Sequence, residues 1–237
     1  MKKINTKNFV HHQDSKLSAN IREVIFGAED GMVSTLGAIT GIAAGTGSSK
    51  IVLLSGLVII AVESISMGIG SYLSNKSVID LSKRKLYEEK LEIEHFPKTE
   101  KKELLKIYLN NGWPKNLASQ MVLAASKNKK LMLEEMAYRE LFLTPKIKDD
   151  SLTGGLFMFT FYIVGGAIPL LSYIFLSLPQ AIYFSISTTL LSLFILGVFS
   201  TRFTRLSWWR AGMQMFLLAS LAAGIGFVVA KIANNLF

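Results

Sequence analysis

Val24–Gly47, which reads VIFGAEDGMVSTLGAITGIAAGTG, decides the fold: it is apolar or small-residued throughout except for the adjacent acids Glu29 and Asp30. At 1.5 Å per residue a helix of this length crosses the roughly 30 Å hydrocarbon core of a bilayer. An ionised carboxylate inside such a span costs at least about 2.5 kcal/mol, so acids held there usually mark a pathway.

Working outward, Ile51–Ser74 reads IVLLSGLVIIAVESISMGIGSYLS and carries one acid, Glu63, near its middle. Three further apolar segments follow, Leu152–Leu176, Ala181–Thr201 and Trp208–Ile232. The expected class is therefore all-α, a polytopic membrane protein of five transmembrane helices with a helical domain inserted between the second and third. Its parts are an N-terminal tail (1–23), helices one and two (24–74), the inserted domain (75–150) and helices three to five (151–237).

Composition agrees. Half of the 237 residues are hydrophobic and only 18% are charged, with a positive mean hydropathy, which is a membrane composition. The net charge of +9 does not point to nucleic acid, because Lys and Arg gather beside the apolar spans. Lys2, Lys3, Lys7, Lys16 and Arg22 precede the first span, many basic residues fall between the second and third, and Arg202, Arg205 and Arg210 join the fourth to the fifth. The positive-inside rule makes those regions cytoplasmic, with the N-terminus inside and the C-terminus on the opposite side. Trp208 and Trp209 beside Arg210 read as an interfacial anchor. Residues 1–21 lack the apolar core of a cleaved signal peptide.

With no cysteine in the chain, thiolate zinc sites and redox CxxC chemistry are excluded, and any metal is held by carboxylate, thioether, imidazole or backbone oxygen. No GxxxxGK[ST], GxSxG or HExxH motif is present, so neither ATP-driven pumping nor hydrolase chemistry has sequence support and no enzyme is expected.

Two polar faces stand out in the first helical pair. Asp30, Ser34, Gly37 and Gly41 share one face of helix one; Glu63, Met67, Gly70 and Ser74 share one of helix two. Counted from the cytoplasmic ends, Asp30 and Met67 each lie about 10 Å deep, so they can meet across an antiparallel pair. A carboxylate with a thioether suits ferrous iron, manganese or another transition ion better than calcium or magnesium. Glu29 and Glu63 are then candidates for the transport pathway or a proton relay. A plainer reading pairs Asp30 and Glu63 with Arg22 or a backbone donor, and makes Met67 a packing residue. Gly37, Gly41 and Gly45, preceded by Gly27 and Gly31, form a small-residue stripe that permits close helix contact within the chain or between two copies.

From Asn75 to Asp150 the composition shifts to Lys, Glu and Leu at helical spacing, broken at Phe96-Pro97, Gly112-Trp113-Pro114 and Thr144-Pro145. This predicts three or four helices, with Thr99 as a cap, Pro114 in a first turn and helix two continuing past Ser74. Glu89 and Glu92 are spaced i, i+3; Glu100 and Glu103 repeat that spacing, and Met136 and Glu140 are i, i+4. Converging, they make an oxygen-rich cation site with one soft ligand. Standing alone, such pairs read equally well as solvated helix faces among Lys83, Lys85, Lys90, Lys101 and Lys102. His95, beside Pro97, reads as a loop residue.

The runs Arg22-Glu23-Val24-Ile25-Phe26-Gly27-Ala28-Glu29-Asp30-Gly31-Met32-Val33-Ser34-Thr35 and Glu63-Ser64-Ile65-Ser66-Met67-Gly68 resemble the vacuolar iron transporter family, and the likeness covers nearly the whole chain. The resemblance implies a homodimer through helix one and a cytoplasmic metal-binding domain. It implies proton-coupled antiport of ferrous iron, with manganese as a further cargo, out of the cytoplasm. Asp30 and Met67 match the family's intramembrane ligands; Glu89, Glu92, Glu100, Glu103, Met136 and Glu140 match its cytoplasmic ones. No permanent cofactor is implied. The membrane would be the plasma membrane in a prokaryote and a vacuolar-type membrane in a eukaryote. The chain departs from the pattern at Glu29, where a neutral residue is usual, at Ala137, often a second methionine, and at Ser71, a glutamate in many members. The rival expectation is a membrane-anchored divalent metal sensor or buffer that binds without transport.

Overall fold

The computed structural model describes residues 20–144, 148–204 and 206–221, and every regular element among them is helical. In chain order these are α1 (Ile21–Thr46), α2 (Ser49–His95), α3 (Pro97–Asn110), α4 (Lys115–Ser126), α5 (Lys129–Arg139), α6 (Ser151–Phe175) and α7 (Gln180–Thr204). Residues 208–221 are helical as well. The rest of the expected fifth span lies outside the described residues, as do 1–19 and the Pro145 break.

Helix boundaries follow local chemistry. Gly47 ends α1 in the left-handed region, φ 60°, where its N–H donates to the Ala43 carbonyl, a conformation that glycine adopts without steric cost. No proline interrupts residues 49–95, and α2 runs unbroken for 47 residues, about 70 Å at the helical rise. Pro97 occupies the first turn of α3, and Phe96, not Thr99, stands at its N-cap; proline is favoured there because that N–H needs no helical partner. Pro114 is likewise the N-cap of α4 and not a first-turn residue. One boundary had no sequence signal assigned to it: Asn128 starts α5, its side chain accepting from the N–H groups of Lys130 and Leu131.

The chain divides into two compact units, one of residues up to Tyr72 and from Ser151 on, the other Leu73–Asp150. In the first, α1 and α6 lie close because of glycine. A Cβ at Gly27 would stand 2.8 Å from the Met158 carbonyl oxygen, one at Gly31 would meet that of Tyr162, and one at Gly165 would meet that of Ala28. Gly27 with Met158, Gly31 with Tyr162 and Thr35 with Gly166 rise together along the two helices, so α6 runs parallel to α1. By contrast Gly56 faces Leu170 and Gly68 faces Phe159, so α2 runs antiparallel to α6. Ser185 Oγ donates to the Pro169 carbonyl at 2.8 Å and ties α7 to α6. Gly197 abuts Ala211, and Trp209 packs edge-on against Phe194, seating residues 208–221 on α7. Among the described residues three helices are long and apolar enough to cross a membrane: α2, α6 and α7. α1 has the length, but Arg22, Glu23, Glu29, Asp30 and its many glycines and threonines lower its hydropathy.

In the second unit, Ile93, Leu104, Tyr108, Ala118, Val122, Ala125, Met132 and Met136 form one apolar core beneath α3, α4 and α5. Lys76 and Asp149 close its ends with a 2.6 Å ion pair.

Candidate metal centre

The cluster begins at Phe96, a single residue between two helices. Its N–H donates to the Glu92 carbonyl at 2.7 Å, and its carbonyl accepts from Thr99 and Glu100. The chain therefore turns back within one residue, and the last turns of α2 face the first turn of α3. Glu89 comes from the former and Glu100 from the latter; Glu140 follows the end of α5, its N–H donating to the Met136 carbonyl at 2.8 Å.

One carboxylate oxygen from each of Glu89, Glu100 and Glu140 lies within 4.8 Å of the others. Glu89 is 2% and Glu100 4% exposed, whereas acids are almost never fully buried unless paired. Glu89 Oε1, Glu100 Oε2 and Glu140 Oε2 are buried without a hydrogen-bond partner in the protein. Glu89 and Glu100 share a side-chain hydrogen bond, but shielding carboxylates that the protein satisfies only in part is costly, and three acids with oxygens this close form a ready cage for a cation.

Electrostatics points the same way. Burial first, then the neighbouring charges of Glu140, Glu100 and Glu92, push the Glu89 carboxyl up to about 8. Glu100 and Glu140 are also raised, each chiefly by burial and next by Glu103. Glu92 and Glu103 thus belong to the field of the cluster although both are exposed. Met136 is fully buried in the core that holds Ile93 and Leu104, each four residues from a cluster acid and so on the same helix face. His95 Nδ1 is engaged with the Leu91 carbonyl at 2.8 Å.

The intramembrane candidates sit in the first unit. Glu29 and Asp30 are half-buried and line a pocket of about 150 Å³ with Phe26, Val33, Leu218 and Ala219. Arg22 forms an ion pair with Glu23 at 2.7 Å. Thr35 and Ile60 both flank Gly166, and Ile39 flanks Gly56. Extended by one turn, that register sets Gly31 level with Ser64 and Asp30 level with Ile65. Met67 then falls two residues, about 3 Å, nearer the Ile21 end.

Sequence reasoning passed over Tyr162. It is fully buried, its hydroxyl lies 2.6 Å from Ser34 Oγ, and Ser34 Oγ donates to the Asp30 carbonyl at 2.6 Å. Asp30 and Glu63 both act electrostatically on that hydroxyl. The available signal was a phenol in the middle of the apolar run 152–176, which requires a partner when buried.

The glycine stripe divides in two. Gly27 and Gly31 press on α6, whereas a Cβ at Gly37, Gly41 or Gly45 would meet nothing within 4 Å.

Residues 21–231 match a family model described as the VIT family. The chain is 31% identical over 228 residues to vacuolar iron transporter 1 of Arabidopsis thaliana, covering 95% of this chain and 91% of that protein. It is 30% identical over 227 residues to vacuolar iron transporter 1 of Eucalyptus grandis, covering 94% and 91%. Over 232 residues it is 30% identical to the vacuolar iron transporter of Plasmodium berghei, covering 94% and 84%.

Proposed function

The chain belongs to the VIT family, and from that membership we propose that it carries ferrous iron out of the cytoplasm across a membrane by proton antiport, loading it at the Glu89–Glu100–Glu140 cluster. It is a membrane protein and a transporter, not an enzyme. The observation that carries the loading step is the set of three carboxylates, each with an oxygen within 4.8 Å of the others and each with a buried oxygen that has no hydrogen-bond partner in the protein.

In this reading residues 75–150 are a cytoplasmic metal-binding domain, 1–23 a cytoplasmic tail, and 24–74 with 151–237 supply five spans that leave the C-terminus on the far side. Glu92, Glu103 and Met136 complete the ligand set. Oxygen with one thioether accepts iron, manganese and other divalent transition ions, so manganese is a further cargo. Two copies pair through α1, supported by the open face at Gly37, Gly41 and Gly45. Asp30 and Met67, close in depth, hand the ion along the spans, with Glu29 and Glu63 moving protons.

Protons and metal compete for the same oxygens. Carboxyls held above their ordinary range load metal by giving up protons, and protonation on an acidic far side releases it. Vesicles with an imposed pH gradient and an iron-sensitive dye inside test the proposal. Uptake is expected to need the gradient and to vanish in Asp30→Ala. Uptake that ignores both overturns it, and binding with no flux supports a membrane-anchored metal buffer instead.

A further inference from the structure

Next to the acidic cluster lies an arginine that does not neutralise it. Arg139 immediately precedes Glu140, yet Glu140 Oε2 has no hydrogen-bond partner, and the charges that raise the Glu140 carboxyl are those of Glu103, Glu100 and Glu92. Arg139 is engaged elsewhere. Its Nε donates to Glu135 Oε2 at 2.8 Å, and its guanidinium lies 4.8 Å from the centre of the Tyr108 ring. The Tyr108 hydroxyl donates to the same Glu135 oxygen at 2.9 Å. Tyr108 is 1% exposed, so the ring that backs this arrangement is fixed in the apolar core.

We propose that Glu135 is a positioning residue for metal loading: with Tyr108 it holds Arg139 on the α3-facing side of α5 and so keeps the neighbouring Glu89–Glu100–Glu140 cage free of a competing cation. The inference rests on reading that cage as the loading site. Glu135 and Arg139 are one turn apart on α5, and each is followed by a residue of the ligand set, Met136 and Glu140. Successive helix positions point about 100° apart, so one face of α5 carries the clamp and the next carries ligands. The guanidinium is permanently charged and on a long, flexible stem. Without a carboxylate at 135 it is drawn to the carboxylates of the cluster, each of which keeps a buried oxygen without a partner. A unit positive charge brought up to those carboxylates competes with a bound ion for the same oxygens.

The test is anaerobic titration of the full chain in detergent with ferrous iron alone. Glu135→Gln keeps the shape and the Tyr108 contact but removes the charge that holds Arg139, and weakens iron binding by about tenfold or more. Adding Arg139→Gln to that variant removes the released cation and restores affinity to within about threefold of wild type. A purely structural role predicts the reverse, since the second substitution also removes the cation–π contact and deepens the loss. Unchanged affinity in Glu135→Gln, or no rescue in the double variant, overturns the inference. If wild type itself takes up no iron at this cage, the loading site is refuted instead, which is a separate result.

Discussion

Glu89 and Glu100 stand on either side of the one-residue break at Phe96, and each of them, like Glu140, places a carboxylate oxygen within 4.8 Å of the others. With its carboxyl pushed up to about 8, Glu89 binds a proton more tightly folded than unfolded. By linkage its contribution to stability is full below the ordinary glutamate range and is lost as pH rises through about 8. Glu100 and Glu140 are shifted in the same direction. The melting temperature of the metal-free chain in detergent is therefore expected to fall between about pH 5 and pH 8. Glu89→Gln flattens that fall and melts higher than wild type at pH 8. A melting temperature that rises over this range in wild type contradicts the assignment.

Iron has the opposite dependence. Where Glu89 still holds its proton, binding must displace it, so affinity rises by roughly tenfold per pH unit for each proton released. Ferrous iron titrations at pH 6 and pH 7 in weak buffer measure both the affinity and the proton count. Equal affinity at the two values, with no acidification, is inconsistent with a shielded carboxylate cage.

Much of this was legible in the sequence, for identifiable reasons. Periodic spacing placed Glu89 with Glu92 and Glu100 with Glu103, and Pro97 marked the break that folds one pair toward the other. The uninterrupted α2 followed from the lack of proline between Ser49 and His95. Other features depend on packing that spacing does not encode. Glu89 and Glu100 are buried whereas Glu92 and Glu103 are exposed, although all four look alike as i, i+3 acids. Gly31 and Gly37 belong to one apparent stripe, but only the arrival of α6 from more than a hundred residues away distinguishes them. Tyr162 joins Asp30 through Ser34 by the same long-range contact.

That division of the glycines makes a paired prediction. A methyl group at Gly31 would drive into the Tyr162 carbonyl, which is backbone and cannot rotate aside, so Gly31→Ala costs about 1–3 kcal/mol or more. Gly37→Ala points into open space and leaves the melting temperature of the detergent-solubilised protein close to wild type. Melting curves of the two variants check this, and equal losses would show that the α1–α6 approach is looser than the contact of Gly31 with the Tyr162 carbonyl requires. If two copies meet at the open face, Gly37→Leu also lowers the dimer fraction measured by light scattering.

The contact of Tyr162 with Ser34 separates transport from loading. Tyr162→Phe keeps the ring that fills the core and removes one hydroxyl from the chain of hydrogen bonds that ends on the Asp30 carbonyl. A lost neutral hydrogen bond costs about 0.5–1.5 kcal/mol, too little to unfold a helical membrane protein. That bond does, however, help fix the turn of α1 that presents Asp30, and its hydroxyl is within electrostatic reach of both Asp30 and Glu63. Gradient-driven iron uptake by vesicles carrying Tyr162→Phe is therefore expected to fall several-fold, while iron binding at the glutamate cage, in the other unit of the chain, stays at the wild-type level. Full uptake by this variant would remove Tyr162 from the pathway, and a matching loss of binding would show that the substitution damages the protein as a whole.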